Sequence, residues 1–245
     1  MLRKMILWPF FILTFCFLLP LAGSAIWWSA QDRPTSWRAA DWGPSGHLPD
    51  PSSVPQAQIH ILAARTGGLK GAASVHSWVV WKAAGAAQWT RAEVVGWGRP
   101  VRLNAYAPDA HWYSNAPFTI GVLTGEAAAR LIPQLVQTVA AYPNGRGSYR
   151  IWPGPNSNTF VAHILRTHPE IGVTLPPNAV GKDWLGDGLV ATQDAGGDIH
   201  VSAGGYLGFP AGPRTGLEVN LLGQTFGVDV QAPALKLPGI GRVGM

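Results

Sequence analysis

The longest apolar stretch of the chain is residues 5–28, MILWPFFILTFCFLLPLAGSAIWW, which contains no charged residue. It has about the length, roughly 20 residues, that a transmembrane helix needs. Pro9 and Pro20 lie near its ends, where a spanning helix tolerates them. Arg3 and Lys4 precede it, so the positive-inside pattern predicts a cytoplasmic N-terminus and an exported remainder. Trp27 and Trp28 fall where aromatic residues meet the far interface. The rival reading is a cleaved signal peptide, because Ala22-Gly23-Ser24 resembles a small-residue cleavage site. The apolar run exceeds the usual h-region, which favours an uncleaved anchor. Either way, the rest of the chain is expected to be exported.

Beyond the anchor the pattern changes. Residues 29–57 contain Pro34, Pro44, Pro49, Pro51 and Pro55 among Ser, Asp and Gly, the composition of a stiff linker or a surface strap. A globular domain is expected over residues 58–245. Residues 58–65, 73–82 and 88–97 are rich in β-branched and aromatic side chains and are bounded by glycine-containing turns, so they predict three strands. Ala83-Ala84-Gly85-Ala86-Ala87 is short enough to join the last two as a hairpin. Residues 99–122, broken by Pro100, Pro108 and Pro117, read as irregular. Over 125–142, Leu131, Leu135 and Val139 form the stripe of an amphipathic helix. A shorter helix fits 157–167, and strands fit 199–202, 217–222 and 225–228 ahead of a Gly/Pro-rich tail. The fold class these elements predict is α+β, an antiparallel sheet with two main helices against it, plus the N-terminal transmembrane helix.

Composition narrows the function classes. Hydrophobic residues make up 47% of the chain and charged ones 13%, with 12 Trp, which excludes disorder and predicts a packed core. The net charge is +5, yet Arg3 and Lys4 belong to the anchor and the remaining basic residues are scattered. Nucleic-acid binding needs a clustered basic stripe and is not expected. The one cysteine, Cys16, lies inside the apolar run. The domain therefore has no disulfide, no cysteine-based zinc site and no thiol nucleophile.

Candidate chemistry is sparse. Gly239-Ile240-Gly241-Arg242-Val243-Gly244 has the spacing G-x-G-x-x-G, but no helix follows it to meet a pyrophosphate. His163 and His168 are five residues apart, off one helical face, and the other histidines are isolated, so no metal or cofactor is expected. The informative pair is His76 and Glu93. With the hairpin closing about Gly85 they fall opposite each other or one position off, and a carboxylate beside an imidazole prepares a general base. A structural His–Glu bond in a half-buried sheet is the plainer alternative. The loop Trp152-Pro153-Gly154-Pro155 fixes the approach to Asn156-Ser157-Asn158-Thr159-Phe160 at a helix start, where free N–H groups and positive potential suit an oxyanion or a nucleophile. Ordinary N-capping explains the same residues.

At these residues the chain resembles a bacterial family called domain-of-unknown-function family 3750. The matching stretches are ASVHSWVVWK (73–82), EVVGWG (93–98), WPGPNSNTF (152–160), AVGKD (179–183), LEVNLLG (217–223) and ALKLPGIGRVG (234–244). The resemblance implies a membrane-associated bacterial protein and implies no activity; joined to the charge pattern before the anchor, it gives the expected location, a bacterial inner membrane with the domain facing the periplasm or exterior. More loosely, the order of His76, Glu93 and Asn156-Ser157-Asn158-Thr159-Phe160 is similar to that of circularly permuted papain-like hydrolases of the NlpC/P60 kind. Those carry Cys where Ser157 stands. This second resemblance implies a hydrolase or acyltransferase-like domain with Ser157, His76 and Glu93 as catalytic residues. The residues expected to bind a ligand are Asn156 and Asn158 at the helix start and Trp78 and Trp152 from the unusual tryptophan supply. The competing expectation is a non-catalytic binding or scaffold module. Beyond the membrane itself, the partners to be expected are peptidoglycan, lipid or an envelope protein.

Overall fold

The computed structural model describes residues 2–145 and 147–244, with side chains from Trp8 onward; the side chains of Arg3 and Lys4 lie outside that range. The apolar run folds as one continuous helix made of α1 (Leu2–Leu13), a π-helical stretch (Thr14–Leu18) and α2 (Leu19–Ser29). Its segment Trp8–Ser29 contains an 18-residue stretch with a mean hydropathy of 2.1. At 1.5 Å per residue it is about 33 Å long, so this helix is long and apolar enough to cross a membrane. The two tryptophans at its end part company. Trp27 is half exposed, whereas Trp28 is only 3% exposed and donates from Nε1 to the Gly68 carbonyl at 2.8 Å. The sequence pattern places both at a lipid interface; Trp28 is instead buried against the domain. It fits there because Gly71 has no side chain, and a Cβ at that position would stand 2.2 Å from the indole.

The first sheet has five antiparallel strands in the order β4-β3-β2-β1-β5: β1 (Gln58–Arg65), β2 (Val75–Lys82), β3 (Thr90–Val94), β4 (Val101–Leu103) and β5 (Phe118–Thr124). β4 and all but the last two residues of β5 lie in the region, 99–122, that reads as irregular from sequence. Alternation splits the sheet into two apolar faces. On one, Ile59, Ile61, Val75 and Val79 pack against helices α3 (Gly125–Ala140) and α4 (Ser157–Thr167), through Leu131, Leu135, Phe160 and Ile164. On the other, Leu62, Trp78, Val80 and Trp89 pack against Trp112, with Trp42 and Leu48 of the proline-rich segment laid over them. That segment is held as a strap. Pro44 bridges to Ala110, and the His111 amide donates to the Gly43 carbonyl at 2.9 Å.

A second antiparallel sheet follows, where the sequence pattern suggests one sheet in all. It comprises β6 (Leu189–Gln193), β7 (Ile199–Ala203), β8 (Leu207–Gly208), β9 (Ala211–Gly212), β10 (Gly216–Leu221), β11 (Gln224–Asp229), β12 (Ala234–Leu237) and β13 (Gly241–Gly244). Its main path runs β13-β12-β11-β10-β8-β7-β6, with β9 beside β10 and β7. The glycine-rich tail thus forms the β12–β13 hairpin, and its G-x-G-x-x-G spacing falls on a turn and a strand. On the inner face of this sheet, Glu218 accepts a hydrogen bond from each of two lysines. Lys182 Nζ lies 2.5 Å from Oε2 and Lys236 Nζ 2.7 Å from Oε1. Lys236 also donates to the Thr215 carbonyl at 2.7 Å. Buried charges persist only when paired in this way.

Candidate functional site

The site starts from the register of β2 and β3. Val79 pairs with Ala92, so Glu93 falls next to Trp78 and diagonal to His76, on the same face. The two meet across that diagonal, not directly opposite, a reach that long side chains make readily. His76 Nε2 lies 2.9 Å from Glu93 Oε2, and both groups are buried. Arg91, one pleat back on the same face, donates to the same oxygen at 2.7 Å and to the Ala107 carbonyl at 2.9 Å. Trp78, fully buried, lies under the Arg91 guanidinium at 4.2 Å. It supports this cluster from beneath and does not line the cleft. The His76 ring stacks on Trp112, with centroids 3.7 Å apart and planes 12° from parallel.

The electrostatics set the charge state of each partner. Burial works against the charge on Glu93, but the His76 hydrogen bond and the Arg91 guanidinium outweigh it and hold the carboxyl below its ordinary range. Burial dominates at His76 and pushes its pKa down, although the Glu93 hydrogen bond pulls the other way. A neutral imidazole facing an ionised carboxylate carries its proton on Nε2 and donates it there. Nδ1 then holds the lone pair, and it has no hydrogen-bond partner among the described residues.

Helix α4 is brought to this place by its own first turn. Asn156 caps it: Oδ1 accepts from the Asn158 and Thr159 amides at 2.9 and 3.2 Å, while Nδ2 donates to the Ile151 and Val180 carbonyls. Thr159 Oγ1 in turn accepts from the Asn156 amide at 3.1 Å, closing a capping box. Gly181 is required beside it, since its φ is +90° and a Cβ would stand 2.3 Å from Asn156 Nδ2. Asn158 ties the helix to the strand that carries His76. Its Nδ2 donates to the Val75 and Val180 carbonyls at 2.9 Å, and its Oδ1 accepts from Ser77 at 2.8 Å. Both Asn156 and Asn158 therefore have their amides committed to the scaffold.

Ser157 is 4% exposed and lines a cleft of about 610 Å³ together with His76. Trp97, Trp112, Tyr149 and Trp152 supply aromatic walls, and Lys70 stands at the same cleft. Among the described residues the Ser157 hydroxyl makes no hydrogen bond, to His76 or to any other group. The cap does not use the Ser157 amide, which leaves one N–H at the positive end of α4. The arrangement offers an oriented neutral base, an uncommitted hydroxyl and an anion-favouring helix end around one cavity.

Two features are missed by sequence reasoning alone. Arg91 carries the expected two-residue spacing to Glu93, and that periodicity was the available signal. Trp112 comes from a loop and had none. Elsewhere, Asp194, Asp198 and His200 have ligand atoms within 4.8 Å of one another, a set invisible while His200 is judged alone in sequence. Arg214 donates to Asp194 and lies 3.3 Å from Asp198, so a guanidinium fills the place a cation would take.

No curated protein and no solved structure matches the chain. A family model described as a protein of unknown function (DUF3750) matches residues 56–184, a span that holds His76, Glu93 and Ser157 and stops before the second sheet. Covering more than half of the chain, that match makes this protein a member of the DUF3750 family.

Proposed function

We propose that this protein is an envelope hydrolase or acyltransferase tethered by its N-terminal helix, with the domain outside a bacterial inner membrane. Its centre is Ser157, His76 and Glu93, in a permuted papain-like arrangement with serine in the cysteine position. The observation that carries this reading is the convergence of a buried His76–Glu93 pair and an unbonded Ser157 hydroxyl on one cleft. A serine hydroxyl needs a base to become a nucleophile. In this reading His76 takes the Ser157 proton through Nδ1 as Oγ attacks an acyl carbon, and returns it to the leaving group. Glu93 stabilises the imidazolium formed in between. Asn156 and Asn158 act by holding the first turn of α4, and Trp152 by walling the cleft.

The test is labelling of the full-length protein by a fluorophosphonate probe. Wild type is expected to label, Ser157→Ala to label not at all, and His76→Ala to lose at least about 100-fold in rate. Labelling that persists in Ser157→Ala removes the proposal.

A second reading has one observation in its favour: Ser157 and His76 share no hydrogen bond. On that reading the aromatic cleft binds a ligand without reacting, as amphipathic tryptophans do at interfaces. Absence of labelling, together with a change in tryptophan fluorescence on adding peptidoglycan fragments or phospholipid, would favour it.

A further inference from the structure

The second sheet presents its faces in an unusual sense. Register places Leu217 beside Val228 and Val219 beside Phe226, then Val228 beside Leu235 and Leu235 beside Val243. These side chains share one face, and from β10 to β13 no strand position on that face carries a charge. They point outward: Leu217 is 60% exposed, Leu235 48% and Val243 49%. The opposite face carries Glu218, Asn220, Thr225 and Lys236, all at most 4% exposed. A water-soluble sheet with one solvated face shows the reverse, polar outward and apolar inward. Contiguous apolar patches of this extent on a surface mark a contact.

The N-terminal helix says what the contact is. Phe17 packs on Phe226 at 6.2 Å between ring centroids and is only 6% exposed. About two turns on, Ser24 Oγ donates to the Gly239 carbonyl at 3.0 Å, and Trp28 is buried at Gly71. The helix is thus fixed to the domain from Phe17 to Trp28, a length of about 16 Å. Those residues belong to the segment apolar enough to cross a bilayer. A domain fixed to the helix along that length, with Phe226 of this face directly against Phe17, cannot hold the face clear of the membrane the helix enters. Asp229 and Arg242, paired at 3.0 Å, and the open backbone edge of β13 oppose deep burial. The two demands are met together by a tilted helix and a face lying at the boundary between headgroups and acyl chains.

We propose that the outer face of β10–β13 is a membrane-docking surface that rests on the acyl chains of the leaflet on the domain's side. It depends on the reading of the N-terminal helix as an anchor and is independent of the catalytic one. The test uses the full-length protein with Cys16→Ser and one new cysteine, Leu217→Cys or Val219→Cys, with Arg130→Cys on α3 and Trp8→Cys in the helix as references. Each is labelled with an environment-sensitive fluorophore and reconstituted into phosphatidylcholine–phosphatidylglycerol vesicles. Labels at 217 and 219 are expected to shift to shorter wavelength and to be quenched several-fold by spin-labelled lipid, with Arg130→Cys unaffected. Quenching at Trp8→Cys combined with a water-like, iodide-sensitive signal at 217 and 219 overturns the docking surface alone. Protection of 217 and 219 from both quenchers shows another protein chain on this face, and overturns it too. No lipid quenching at Trp8→Cys overturns the anchor and the docking surface together.

Discussion

Glu93 receives two donors on one oxygen, while its Oε1 has no partner among the described residues and is buried. Its charge is therefore what holds Arg91 and His76 in place. Glu93→Gln keeps the shape but leaves the Arg91 guanidinium, fully buried, without its counter-charge. That should cost about 3 kcal/mol or more, read from denaturant unfolding of the detergent-solubilised protein. The carboxyl is held below its ordinary range, so its stabilising contribution is present above that range and disappears as pH falls through the depressed value. Ser157 is the opposite case. Helix starts are where serine usually caps, and on composition the hydroxyl is a cap; in the fold Asn156 does the capping and Ser157 bonds to nothing described. Ser157→Ala should shift unfolding by no more than about 0.5 kcal/mol. A hydroxyl that can be removed without structural loss is one whose presence requires another explanation.

At the scale of elements, α4 depends on one side chain more than on its own propensity. Asn156 accepts two helix amides and donates to two carbonyls from outside the helix, so Asn156→Ala removes a cap worth about 1 kcal/mol and strands the Ile151 carbonyl, while the Val180 carbonyl keeps only its bond from Asn158. A total loss of about 2–3 kcal/mol in unfolding free energy is expected, larger than for any exposed position of α3. This helix and β1 were legible in the sequence to the residue. The prolines before α4, and Pro55 ahead of β1 with Gly67 behind it, punctuate the chain close to where hydrogen bonding starts and stops. The strands β4, β5, β12 and β13 were not legible. They lie among prolines and glycines and are held by tertiary pairing with a neighbour that local pattern does not contain. The His76–Glu93 face was readable because alternation has a period of two whatever the partner strand. Trp112 was not, since a loop residue reaches its ring partner only through the fold.

Across the whole molecule, alternation also shows its limit. The strands β10 to β12 alternate as regularly as any in the chain, yet the pattern states only that two faces differ, not which of them is inside. Here the polar face is inside, and burying it concentrates charge between α4 and the second sheet. Asp183 is the strained member. Burial raises its pKa to about 6, with Lys182 pulling it down and Glu218 adding to the rise, and its Oδ2 is buried with no partner among the described residues. For an acid whose pKa is higher in the folded state than in the unfolded one, the folded state binds more protons in between. Stability from this group accordingly falls as pH rises from the ordinary aspartate value, 3.8, through about 6. At neutral pH the native protein carries a desolvated carboxylate that the unfolded chain keeps in water. Asp183→Asn removes that charge while preserving volume, so it should raise unfolding free energy near neutral pH by about 1–2 kcal/mol, a figure reduced for residual access of water. The gain should narrow as the solution is acidified below about pH 6 and be nearly gone by about pH 3, where both states are protonated. Denaturant titrations of the two proteins at several pH values measure the difference directly. A gain that does not change with pH would mean that the asparagine helps by packing or hydrogen bonding, and that the Asp183 carboxyl is not the desolvated group inferred from its surroundings.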